Sequence, residues 1–302
     1  MKVFALSPNE NWIVDRFVEE WNTNNKDITV SSPEDADIVW LTPAWAWRHV
    51  SLGTLTSKKV IATIHHIVPE KFGIDELNEF KVRDQFVTAY HVPCQKTADQ
   101  IRKFTQKDIH VIPFWVNSSV WYHMPDRLAL RKKYGLDESS FLVGSFQRDT
   151  EGRDLKSPKL EKGPDIFCDI VEKYKSNGAD LTVVLAGWRR QYIMNRLDLA
   201  KIKYHYFEMA DFTTLNELYN ALSLYIVSSR HEGGPQAVVE CALTKTPIIS
   251  TDVGIASQIL NYKSIFDHSF KASPDVEYAY KAVQSFLMPE AMKPFRELFE
   301  SL

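Results

Sequence analysis

Only three cysteines, Cys94, Cys168 and Cys241, occur among 302 residues, and none belongs to a C-x-x-C pair or a metal-ligand spacing. So odd and scattered a set excludes a disulfide framework and fits a reducing compartment with buried thiols. Charge of one sign is missing too: 36 Lys plus Arg stand against 39 Asp plus Glu, a net charge of -3. Without a global basic field, nucleic acid is excluded as a main partner. No apolar run approaches the roughly 18 residues of a spanning helix, and "MKVFALSPNENW" at the amino terminus has too short an apolar run for a signal peptide. The expected location is cytoplasmic, which leaves peripheral contact with a membrane open. Internal repeats, low-complexity tracts and coiled-coil heptads are absent as well.

What is present is enough apolar material for two cores, 44% of the residues. Short β-branched or apolar runs alternate with longer amphipathic segments, the pattern of an α/β fold with parallel sheets. Strands are expected at 2–6, 36–42, 59–64, 86–93 and 109–113, with helices near 12–22 and 95–104. The polar, irregular stretch "FWVNSSVWYHMPDRLALRKKYGLDESS" reads as a linker, with a short basic helix that stops at Gly135. A second series of strands follows at 141–146, 181–187, 204–208, 224–229 and 247–251, with helices near 162–176, 189–200, 213–222 and 235–244. The expectation is two doubly wound Rossmann-like domains with a cleft between them. The first is expected over 1–115 and the second over 116–280. A helical segment, 281–302, is expected to pack back on the first domain.

Open parallel sheets bind ligands beyond the carboxyl ends of their strands, so the residues after each strand matter most. After the strand 224–229 comes "RHEGGPQAVVECA". Gly233 and Gly234 let a ligand approach the backbone, Pro235 suits the first helical position, and the amides that follow suit a phosphate. Glu232 stands in the turn and Glu240 inside the helix, roughly 7 to 8 Å further along its axis. Two carboxylates so placed can touch different parts of one elongated ligand.

The Glu232/Glu240 pair is an E-x7-E inside "EGGPQAVVECALTKTPIISTDVG", which resembles the signature of family 4 retaining glycosyltransferases of the GT-B fold. The resemblance spans roughly residues 59–260. It implies that Glu232 lies beside the transferred sugar and that Glu240 holds the ribose hydroxyls. "VGSFQRDTEGRDLKSPKLEKGPDIF" is similar to the family's phosphate-binding region, where Arg148 and Lys162 match best; Arg153, Lys156 and Lys159 compete for the same role. "VIATIHHIVPEKF" matches at His65, with His66 the alternative, and implies contact with donor hydroxyls. The resemblance also implies that Gly187, at the end of "LTVVLAG", lies at the donor, with 116–280 the nucleotide-sugar domain and 1–115 the acceptor side.

Departures from the family pattern are equally visible. The glycine-rich loop after the first strand is replaced by "LSPNENWIVDRF", a small residue after Gly187 by Trp188, and a late acid by Gln258. Arg189 and Arg190 suit either a phosphate or a helix's solvent face, and Trp40, Trp45 and Trp47 either sugar stacking or the core. Asp35 and Asp37 form a D-x-D, but they stand at the entry of a strand, where turn and strand-entry chemistry accounts for them. No metal and no cofactor is expected. The reading is a retaining, metal-independent glycosyltransferase of glycan biosynthesis that takes a nucleoside diphosphate sugar and a glycan, lipid-linked or other hydroxyl acceptor. The alternatives are a sugar-nucleotide epimerase and a non-catalytic sugar-nucleotide or glycan-binding protein.

Overall fold

The computed structural model describes residues 1–10, 13–267 and 271–302. The chain divides into two compact units, Met1–Trp115 with Met288–Leu302, and Val116–Leu287. Residues 281–287 thus lie in the second unit, where Val116 N donates to Phe286 O at 2.8 Å.

In the first unit, β1 (Val3–Ala5), β2 (Ile38–Leu41), β3 (Lys59–Thr63), β4 (Ala89–Val92) and β5 (Asp108–Val111) form a parallel sheet in chain order. They alternate with α1 (Ile13–Asn24), α2 (Leu52–Ser57), α3 (Ile74–Asp84) and α4 (Gln95–Ile101). Position 12, where the sequence reading starts α1, lies outside the described residues. Side chains two apart on a strand share a face. Val3, Ala5, Ile38, Trp40 and Ile61 accordingly pack with Phe17 and Trp21 of α1 and with Phe295 and Phe299 of the C-terminal helix Lys293–Glu300. The alternate set, Val39, Leu41, Val60, Ala62 and Tyr90, packs on the other face with Phe80 and Ile101.

Trp40 is fully buried and therefore belongs to the core, not to a sugar platform; of the three candidates in its segment, Trp45 is the exposed one. The Trp40 indole N–H donates to Thr63 Oγ1 (2.8 Å), which is 2.9 Å from His91 Nδ1, and His91 Nε2 donates to Ile112 O (2.7 Å). This chain fixes one neutral tautomer, and burial pushes the His91 pKa down to about 3. The boundary between the units, Trp115/Val116, falls inside the stretch read as a linker, and Phe114, Trp115, Val116 and Trp121 within that stretch are buried.

In the second unit come α5 (Arg127–Lys133), β6 (Phe141–Ser145), the hairpin β7 (Thr150–Glu151) and β8 (Ser157–Pro158), α6 (Pro164–Ser176), β9 (Leu181–Ala186), α7 (Gln191–Leu199) and β10 (Lys203–Phe207). Then follow α8 (Phe212–Ala221), β11 (Leu224–Val227), α9 (Gln236–Thr244) and β12 (Ile248–Ser250). The main sheet is parallel with the order β10-β9-β6-β11-β12. The chain winds outward from β6 to β10, then returns to place β11 on the other side of β6. That reversal makes the β6/β11 boundary a topological switch point, where the connections leave on opposite sides and open a crevice. Val143, Val183, Leu185, Ile226 and Ile249 build the core below it with Phe167, Val171 and Leu197.

Candidate active site

The switch point gathers the polar side chains of the second unit. Gly163 has φ +60 and lies so close to the end of β11 that a Cβ there would sit 1.9 Å from Ser228 O. Only glycine permits this approach, and it fixes the residue before it. Lys162 O accepts Gln147 Nε2 at 3.0 Å from the β6 side and Ser228 Oγ at 3.3 Å from the β11 side. Its Nζ then donates to Glu232 Oε1 at 2.5 Å, and Ser229 Oγ donates to the same oxygen at 3.1 Å. The two side chains are only 19% and 11% exposed. An ion pair this sheltered is held in one geometry, and removing either partner takes the counter-charge from the other.

The loop carrying Glu232 is pinned from below. Arg230 N and His231 N donate to Glu161 O at 2.8 and 3.2 Å, and the Arg230 guanidinium grips Asp165 at 2.8 and 2.5 Å. Gly233 and Pro235 are buried and Gly234 half-buried. Pro235 is the cap of α9, with φ -62 and ψ 109, one residue earlier than the first helical position expected for it. Four residues into α9 from Gln236, Glu240 is 7% exposed and accepts the Tyr219 hydroxyl at 3.0 Å. Burial first, then the charges nearby, raise the Tyr219 pKa well above its ordinary value, so this hydroxyl keeps its proton and stays a donor. Tyr219 in turn packs on Phe146 and Tyr225, at 4.8 and 5.3 Å between ring centroids.

Along the same sheet edge, Arg148 Nε donates to Thr150 O at 3.0 Å and its guanidinium lies 5.3 Å from the Trp188 ring. Burial, then the like charge of Arg189, lower the Arg148 pKa, but a guanidinium stays protonated. Gly187 adopts φ +88 at the end of β9. Arg190 serves neither a phosphate nor the solvent, the two roles open to it from sequence. It is wholly buried, bonds Asp149 Oδ2 at 2.5 Å, and donates to Ser145 O and Ala186 O, tying the ends of β6 and β9 together. Of the competing basic residues, Arg153 and Lys156 stand exposed on the hairpin, and Lys159 lies 3.7 Å from Glu161.

In the first unit, His65 follows β3, donates from Nε2 to Thr42 O at 3.0 Å and stacks on Phe114 at 5.4 Å. Asp37 accepts Lys2 N at 2.7 Å before β2, a strand-entry contact. Among the described residues, no group of three or more His, Cys, Asp or Glu is placed to hold a metal ion, and no helix is long and apolar enough to cross a membrane. Sequence reasoning misses Tyr219 and Asp149, whose partners Glu240 and Arg190 lie 21 and 41 residues away, and Ser229, a lone serine at a strand end whose bond to Glu232 no local pattern marks.

Residues 155–288, which include Lys162, Glu232 and Glu240, match the model of a family described as glycosyl transferases group 1. The lipopolysaccharide core biosynthesis mannosyltransferase LpsB of Rhizobium meliloti is 24% identical over 169 residues, 54% of this chain. This chain spans 46% of that relative's length. Among solved structures, HepE of Anabaena in complex with UDP and glucose is similar with a TM-score of 0.79 and 14% identity, covering 99% of both chains. Sucrose-phosphate synthase of Thermosynechococcus elongatus gives 0.69 at 14% identity, covering 98% of this chain and 81% of that one. The fold is GT-B. The matched segment is similar to the group 1 glycosyltransferases and holds the switch-point ion pair.

Proposed function

We propose that this chain is a glycosyltransferase that moves a sugar from a nucleoside diphosphate sugar to an acceptor hydroxyl, with retention of anomeric configuration and without a metal. The observation that carries it is the Lys162–Glu232 contact at the β6/β11 switch point, with Glu240 in the helix that follows. In the free protein Lys162 is matched to Glu232. A donor diphosphate set against the start of α9 offers Lys162 a second, stronger anion, whose charge grows as the bond to the anomeric carbon breaks. Glu232 is then released toward the sugar, where its carboxylate steadies the cationic anomeric centre. Glu240, buried and fixed by Tyr219, accepts the ribose hydroxyls. The acceptor oxygen bonds the anomeric carbon on the face the diphosphate leaves, and its proton passes to the departing phosphate oxygen. Arg148 adds positive charge from the end of β6, and His65 is assigned to donor hydroxyls. The UDP and glucose of HepE and the mannosyltransferase activity named for LpsB support a hexose nucleotide as donor and a glycan as acceptor.

The experiment is transfer from UDP- and GDP-hexoses to a panel of short oligosaccharides in excess EDTA, with the product anomer read by proton NMR. The expected product keeps the donor's anomeric configuration. An inverted product rejects retention, loss of activity restored only by manganese or magnesium rejects metal independence, and isomerised donor without acceptor favours an epimerase.

A further inference from the structure

Resting on that reading, we infer that Trp188 is the platform on which the donor's nucleobase stacks. Its indole stands at the carboxyl end of β9 and is 46% exposed, whereas Trp21, Trp40, Trp115 and Trp121 are buried. The exposure is not that of a loose loop. Gly187 and Arg189, on either side of Trp188, both hold positive φ, +88 and +57. For arginine this is an uncommon conformation that persists only where its surroundings over-determine it. They do so here: Gly187 N donates to Phe207 O at 3.1 Å, and Asp149 N and Thr150 N donate to Arg189 O at 3.2 and 3.1 Å. The buried Asp149–Arg190 pair locks the next residue. A large apolar ring is therefore held toward solvent by a rigid frame.

Two features say what the ring receives. The guanidiniums of Arg148 and Arg189 lie 5.3 and 4.5 Å from it, so an aromatic surface and two positive charges come together, as a base carried on a phosphorylated sugar requires. A line of contacts also leads from Trp188 to the carboxylate assigned to ribose. A Cβ on Gly187 would be 3.4 Å from Phe146 O, Phe146 packs on Tyr219, and the Tyr219 hydroxyl bonds Glu240. Since the base is attached directly to the ribose, its stacking surface must adjoin the ribose site. An indole face accepts any base, so Trp188 contributes affinity more than choice between bases.

The test is calorimetric titration of wild type, Trp188→Ala and Trp188→Phe with UDP, GDP, ADP, CDP, dTDP and ribose 5-diphosphate, which lacks a base. Trp188→Ala should weaken the best-bound nucleoside diphosphate about 5- to 100-fold and leave ribose 5-diphosphate unchanged, while Trp188→Phe should stay within about threefold of wild type. Equal losses for both kinds of ligand, or no loss, would overturn the platform. So would an acceptor KM that rises while nucleotide affinity stands, which assigns the ring to the acceptor. If wild type binds none of UDP, GDP, ADP, CDP and dTDP, the donor reading itself fails and the platform with it, an outcome separable from a failure confined to the variants.

Discussion

The two five-stranded parallel sheets of this molecule are similar in size and burial but differ in the order of their strands. In the first unit β1 to β5 lie in chain order, whereas in the second the chain reverses between β10 and β11. The consequence shows at the loop after the first strand of each sheet. After β1, Asn9 N and Glu10 N donate to Asp15 at 2.9 and 2.8 Å, and Ser7 Oγ bonds the same carboxylate. These three donors, among the described residues of the loop, are satisfied by the protein's own anion. After β6, at the reversal, Gln147 instead helps to hold Lys162 toward Glu232. Connectivity, more than strand composition, decides which edge gathers chemistry.

The sharpest way to break this contrast is to remove the switch-point cation. Lys162→Ala should lower single-turnover transfer about 100- to 1,000-fold, as loss of one transition-state donor does, with a smaller fall in nucleoside diphosphate affinity. Unchanged turnover in a folded variant would shift the role to Lys156 or Lys159. Next comes the residue that allows the approach: Gly163→Ala forces a Cβ against Ser228 O at φ +60, and urea unfolding should show a loss of at least about 2 kcal/mol. The closed loop of the first unit gives the counterpart. Asp15→Asn should cost about 1–3 kcal/mol of stability through poorer acceptance from Asn9 and Glu10, yet leave nucleoside diphosphate affinity where it was. A tenfold fall in that affinity would break the division of labour between the two edges.

A gentler effect concerns pH. The folded pKa of His91 is depressed from 6.5 to about 3, with desolvation the leading cause. Its stabilising share is therefore complete above the unfolded pKa and is lost as pH falls from about 6.5 toward 3, at no more than about 1.4 kcal/mol per pH unit. Urea midpoints of wild type and His91→Gln should converge as pH falls through that window; parallel curves would remove His91 from the acid response.

The strands of both sheets are legible in the sequence because those buried on both faces read as nearly continuous apolar runs, as in "LTVVLA" and "LYIV". Helices α6 to α9 of the second unit are legible from their apolar stripes, whereas the short helices Ala256–Ile259 and Val276–Ala282 are not read. α3 is not, since only Phe80 and Arg83 of its residues are buried and a polar surface helix carries no stripe to read. The Gly-Gly-Pro turn marks Glu232 and Glu240 from local residues alone. What aims them is invisible there: Lys162 lies 70 residues before Glu232 and Tyr219 lies 21 before Glu240. Arg190 misleads for the same reason, because a charged residue after a strand suggests a ligand until the fold supplies Asp149.

In the proposed reaction the two carboxylates after β11, Glu232 and Glu240, divide one nucleotide sugar between them. Calorimetry with the nucleoside diphosphate, paired with single-turnover transfer, on folded Glu232→Gln and Glu240→Gln tests it most directly. Glu240→Gln should weaken nucleotide binding about tenfold or more, because a neutral amide is a poorer partner for two ribose hydroxyls. Glu232→Gln should leave that binding nearly intact while transfer slows. Loss of nucleotide binding in Glu232→Gln with only transfer affected in Glu240→Gln reverses the assignment, and no change in either quantity for either variant contradicts it outright.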